Sequence, residues 1–215
     1  WMDVQREAGL EAIAIPHNSN VSDGQMFKLE TYDGAPLSAE YADQRMRNEP
    51  LVEITQVKGT SETHPDLSPN DEWADFELYD KMLGSNIVAR TEGGFVREAY
   101  RNGLKLTEAE GFDPFKFGIT GASDSHVVGG AFAEDDYWSK VGMVDGLPVQ
   151  RGSVPISPDS DPNDLRGIKP GTNWEDQPNI RTVQSATNWF SRWSASGLTG
   201  VWAEENTREA IFEAF

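Results

Sequence analysis

The chain has 215 residues with 36 acidic and 18 basic side chains, a formal net charge of −18 and no cysteine. Its 37% apolar and 10% aromatic content suits a packed core rather than an acidic disordered tail. Its acidity argues against general nucleic-acid binding, no apolar run nears the ~20 residues that span a bilayer, and without Cys there are no disulfides or thiolate sites.

The N-terminus reads as part of a helix carrying Met2, Arg6, Gly9 and Leu10. Trp1-Met2 is not a natural start, and nothing there resembles a signal peptide. Residues 11–16 (EAIAIP) read as a short buried strand. Residues 18–36 are rich in Ser, Asn, Asp and Gly and read as loop. Residues 38–48 predict a helix capped by Ser38, and 51–57 (LVEITQV) a β-branched strand.

Residues 59–70 form a polar loop containing His64, and 71–83 predict a helix with acids in its first turn. A helix over 96–110 is expected to be interrupted near Gly103. Residues 115–120 (FKFGIT) read as a third strand, followed at once by Gly121-Ala-Ser-Asp-Ser-His126. Residues 127–180 are loop-rich and weakly periodic. Residues 200–203 are a short strand candidate. Residues 204–215 are a closing helix, with Asn206 and Glu209 as a capping box. Both ends thus read as helices cut from a longer chain.

This alternation predicts an α/β fold with a mainly parallel sheet, and in such folds chemistry sits at the carboxyl ends of strands. The three His of the chain all follow predicted strands: His17 after the first, His64 in the loop after the second, His126 after the third. Parallel neighbouring strands would bring them to one end of the sheet. Asp124 and His126 form an Asp-x-His pair, whose side chains share a face in extended chain, and Glu53 within the second strand is a further carboxylate. His and carboxylate donors suit zinc, manganese or iron. The plainer reading is that each His is a hydrogen-bonding loop residue and that Glu53 faces water.

The segments Ile15-Pro-His17-Asn18, Val52-Glu53-Ile54-Thr55, Ser61-Glu-Thr-His64-Pro, residues 115–126 and Gly200-Val-Trp-Ala-Glu-Glu-Asn-Thr-Arg-Glu-Ala resemble the polymerase-and-histidinol-phosphatase (PHP) superfamily. More closely, they resemble its uncharacterised branch, domain-of-unknown-function family 3604. The resemblance covers nearly the whole chain. It implies part of a distorted (β/α)7 barrel with a long loop-rich insertion at 127–180, binding two or three divalent ions. It also implies metal ligation by His17, His64, Asp124 and His126, with Glu53 as ligand or as support for one. The sequence departs from the pattern in one respect: the first His-x-His motif and the Asp or His motif after it are absent, and they normally lie upstream.

The expected function is therefore a divalent-metal-dependent hydrolase of a small molecule, foremost a phosphoesterase, using water activated by the metal. Asp124 or Glu53 would relay the proton, and Lys58, Arg90 or Arg97 would offset substrate charge. Ser123 and Ser125 read as spacers rather than nucleophiles. Tyr137, Trp138, Trp174, Trp189 and Trp193 either wall a pocket or simply pack the insertion. Alternatives are a related hydrolase of a non-phosphate ester, amide or carbohydrate derivative, and a non-catalytic calcium- or glycan-binding module. For the latter, the Asp159–Asp164 stretch lacks the Gly and Glu of a complete calcium loop.

Overall fold

A computed structural model describes residues 1–56, 58–83, 85, 87–124 and 197–215. In order these form α1 (Met2–Glu7), a 3₁₀ turn (Ser19–Val21), α2 (Ala39–Asn48), β1 (Leu51–Gln56), β2 (Gly59–Thr60), α3 (Val96–Glu110), β3 (Gly118–Gly121) and α4 (Arg208–Ala214). No described helix is long and apolar enough to cross a membrane.

Among the described residues the sheet has three strands in the order β2-β1-β3. β3 lies parallel to β1, pairing Val52 with Ile119 and Glu53 with Thr120, and the register shifts between Glu53 and Thr55. β2 folds back antiparallel, pairing Thr55 with Thr60 and Gln56 with Gly59. Gly59 makes this turn possible. Its φ is +92°, and a Cβ there would meet the Glu77 carbonyl at 2.7 Å.

The expected barrel of mainly parallel strands is corrected by this open, mixed sheet. The reasons are local. Residues 11–16 run beside β1 but form no ladder: the Ala14 amide donates to the Asn48 carbonyl (2.8 Å), and the Pro16 carbonyl accepts from the Glu53 amide (2.9 Å). Pro16 itself has no N–H to continue the pairing. Residues 200–203 are exposed and outside any strand. The third strand begins at Gly118 rather than residue 115, because the Phe115 amide donates to Asp113 Oδ1 (2.8 Å) and the Lys116 amide to Met46 Sδ (3.2 Å).

Two predicted helices form over nearly the expected spans. Ser38 caps α2, its hydroxyl accepting from the Tyr41 amide at 3.2 Å. α3 runs unbroken through Gly103, contrary to the expected interruption. Its first amides are satisfied from outside the helix: Val96 donates to the Ser61 carbonyl (2.9 Å) and Arg97 to that of Glu62 (3.0 Å). Gly111, at φ +81°, ends it in the left-handed cap. In α4 the cap is Thr207 rather than Asn206, its hydroxyl accepting from the Ala210 amide at 3.2 Å.

The helix expected over 71–83 is instead a run of turns. Asp71 captures the Trp73 amide with its side chain and the Ala74 amide with its carbonyl. The Phe76 amide donates to the Trp73 carbonyl, and Glu77 then sits at φ +52°. Local capture by Asp outcompetes the i→i+4 ladder here.

The core lies between α3, β1 and the loop chain. Val96, Ala99 and Gly103 form the buried stripe of α3, facing a cluster of Phe27, Leu37, Val52, Phe115 and Phe117. Arg45 of α2 is buried with them. Its guanidinium lies 5.6 Å from the Phe27 ring and 5.1 Å from that of Phe115, and it donates to the Met26 carbonyl at 3.0 Å.

Candidate functional site

On β1, Glu53 has several ionisable neighbours. Glu53 points from the strand with Oε1 buried, and Oε1 has no hydrogen-bond partner among the described residues. Burial raises its carboxyl pKa. A hydrogen bond from the Gln56 side chain and the charges of Lys58 and His17 pull it back down, and Asp124 adds to the rise. Glu53 thus lies within electrostatic reach of His17, Asp124 and Lys58.

His17 is exposed, directly after the segment that runs beside β1. Its Nδ1 lies 3.3 Å from the Ile15 carbonyl. A carbonyl only accepts, so this contact seats the ring proton on Nδ1 and leaves the Nε2 lone pair for a ligand. Asp124 follows β3 and adopts φ +51°, a conformation that Asp tolerates better than most residues.

His64 stands in other company. Its ring lies 5.7 Å from that of Phe95. Its Nδ1 accepts from the Asp66 amide at 3.2 Å, with the Asp66 carboxylate 3.4 Å away. A neutral ring so held carries its proton on Nε2. His126 and Ser125 lie outside the described residues, as do the 127–180 region and Tyr137, Trp138, Trp174, Trp189 and Trp193. Among the described residues, no group of three or more His, Asp and Glu side chains is placed to hold one ion. His17, Glu53 and Asp124 nevertheless supply the donor chemistry of a zinc, manganese or iron site, and the partnerless Glu53 oxygen fits a cation.

Beside them is a buried polar cluster that sequence reasoning missed in part. Lys58, in the β1–β2 turn, is 5% exposed. Its Nζ donates to Asn20 Oδ1 at 2.6 Å and to the Ser61 hydroxyl. Ser61 in turn donates to the same Asn20 oxygen at 3.0 Å, and Asn20 Nδ2 donates to the Lys58 carbonyl at 3.3 Å. Burial drives the Lys58 pKa down to about 7, against the opposing pull of Glu53 and Asp124. Asn20 and Ser61 lie in polar loop sequence, and nothing in their spacing marks them as buried. Of the other cations considered for substrate charge, Arg97 is committed to Asp71 (2.5 Å) and Glu62, and Arg90 is exposed.

The family model described as "Protein of unknown function (DUF3604)" matches residues 1–215, and the chain belongs to that family. No curated protein and no solved structure matches it.

Proposed function

We propose that this protein is a divalent-metal-dependent hydrolase of a small molecule, foremost a phosphoesterase, as the motifs that resemble the PHP superfamily suggest. The observation that carries this reading is the buried Oε1 of Glu53, without a hydrogen-bond partner among the described residues and within electrostatic reach of His17 and Asp124. A carboxylate oxygen withdrawn from water without a donor is costly; a bound cation removes that cost, in competition with the proton that the raised pKa favours. The donors would be His17 through Nε2, Glu53 and Asp124, which must draw closer than they stand here to share one ion; His64 and His126 are further ligands only by the motif resemblance. When bound, such an ion supplies Lewis acidity and acidified water. Lys58, held by Asn20 and Ser61, keeps a positive charge beside the two carboxylates when protonated, which favours their ionised, metal-binding form.

Elemental analysis of the purified protein, followed by chelation and add-back of zinc, manganese or iron against a phosphoester panel, tests the reading. At least one transition-metal ion per chain is expected, with hydrolysis lost on chelation and restored by one of the metals. A metal-free protein that gains no phosphoesterase activity on add-back would sink it.

A further inference from the structure

Two aromatic rings beside the β2 loop stand in water. Trp73 is 70% exposed and Phe76 59%. They border a cavity of about 280 Å³ together with Thr60, Glu62, Thr63 and Ala74. Large exposed apolar groups held side by side commonly mark interaction sites.

These rings sit on a turn pinned from both ends. Arg97 of α3 binds Asp71 and Glu62 together, and Asp71 in turn holds the Trp73 amide at 3.0 Å. At the other end, the Thr60 amide of β2 donates to the Glu77 carbonyl at 3.0 Å. A surface ordered beforehand loses little entropy when it is filled.

The charge around the groove is one-sided. Glu72 and Asp75 flank the two aromatics in sequence and are exposed. The ion pairs found among the described residues include neither. Arg97, the cation nearest this turn, is already taken by Asp71 and Glu62. Aromatic faces attract organic cations, and the exposed acids next to them in sequence add to that attraction. The cavity is small against the ~300–1,000 Å³ of whole-ligand pockets. It therefore accommodates a single side chain better than a complete small molecule.

We propose that the Trp73–Phe76 groove docks a basic peptide segment, with one arginine or lysine side chain over the rings and its basic neighbours against Glu72 and Asp75. This inference is independent of the metal reading.

Fluorescence anisotropy with the full chain and a labelled octapeptide of alternating glycine and arginine tests it, with a glycine–glutamine octapeptide and arginine amide as comparators. Both Trp73→Ala and Phe76→Ala should weaken arginine-peptide binding about tenfold, within the range of a desolvated cation–π contact. The double change Glu72→Gln, Asp75→Asn should weaken it and flatten its salt dependence, with thermal melts unchanged for all these surface variants. Equal binding of the glutamine peptide overturns the proposal. So does unchanged affinity in both aromatic variants, which would reduce binding to attraction by the −18 charge. Arginine amide competing as well as the peptide would mark a small-cation site instead. If Trp73 is shielded from acrylamide in the free chain, read as no loss of quenchable emission in Trp73→Ala, another part of this chain fills the groove and the proposal also falls.

Discussion

Lys58 ties charge to stability. Burial lowers its pKa to about 7 from the ordinary lysine value, so the folded chain releases a proton that the unfolded chain keeps. Between that pH and the ordinary lysine range the unfolded state binds more protons, and stability rises with pH, by up to about 1.4 kcal/mol per unit. Below the folded pKa both states are charged and the burial penalty stands in full. Denaturant midpoints measured from about pH 7 to about pH 9 should climb more steeply for the native chain than for Lys58→Met. Parallel slopes would assign the titration elsewhere.

Glu53 has the opposite sign. Its carboxyl pKa is raised, chiefly by burial. Its contribution to stability is therefore present below the unfolded value and is lost as pH rises through the folded one. Glu53→Gln should melt no lower than the native chain at neutral pH without metal, and should lose the rise in melting temperature that a bound divalent ion gives the native chain. A variant that still gains the same rise on adding the metal would remove Glu53 from the site.

At the scale of elements, Gly103 decides a sign. Alanine in a helix interior ordinarily gains ~1 kcal/mol over glycine. Here a Cβ would run into the Asp113 carboxylate, which is fixed by its bond from the Phe115 amide. Gly103→Ala is expected to destabilise, and Ser38→Ala to cost ~1 kcal/mol through loss of the α2 cap. Urea titration checks both. The elements legible in the sequence were those whose evidence is local. Ser38 as a cap gave α2, the β-branched 51–57 gave β1, and the span of α3 was read correctly while its expected interruption near Gly103 was not. Asp71 competing for the next amides, or Asp113 taking the amide of Phe115, depends on side-chain geometry that a periodicity cannot display. The same holds for the site. His17 and Asp124 stood out beside predicted strand ends and Glu53 as a carboxylate within a strand, whereas Asn20 and Ser61 become visible only when two loops close over Lys58.

For the whole molecule, a net charge of −18 means self-repulsion in the compact state. Added salt shortens the Debye length from about 30 Å at 0.01 M to about 8 Å at 0.15 M. Melting temperature should therefore rise over that interval in a monovalent salt, most steeply at the low end. A fall would show that local ion pairs, such as Asp3 with Arg6 and Arg47, outweigh the global repulsion.

The sheet also bears on how fast the chain acquires its structure. β1 and β2 are joined by a tight turn and meet without closing a long loop. β3 reaches β1 from far along the chain: Thr120, whose hydroxyl donates to the Val52 carbonyl, is 68 residues away from it. Closing such a loop is entropically costly before any pairing rewards it. The hairpin is thus placed to nucleate, and the parallel pairing, with Asp124 just beyond it, to arrive late. In a refolding experiment, amides of β1 and β2 should become protected from exchange before those of β3. The site we propose beside β1 would then assemble in the final step, after the scaffold that holds half of it is already in place.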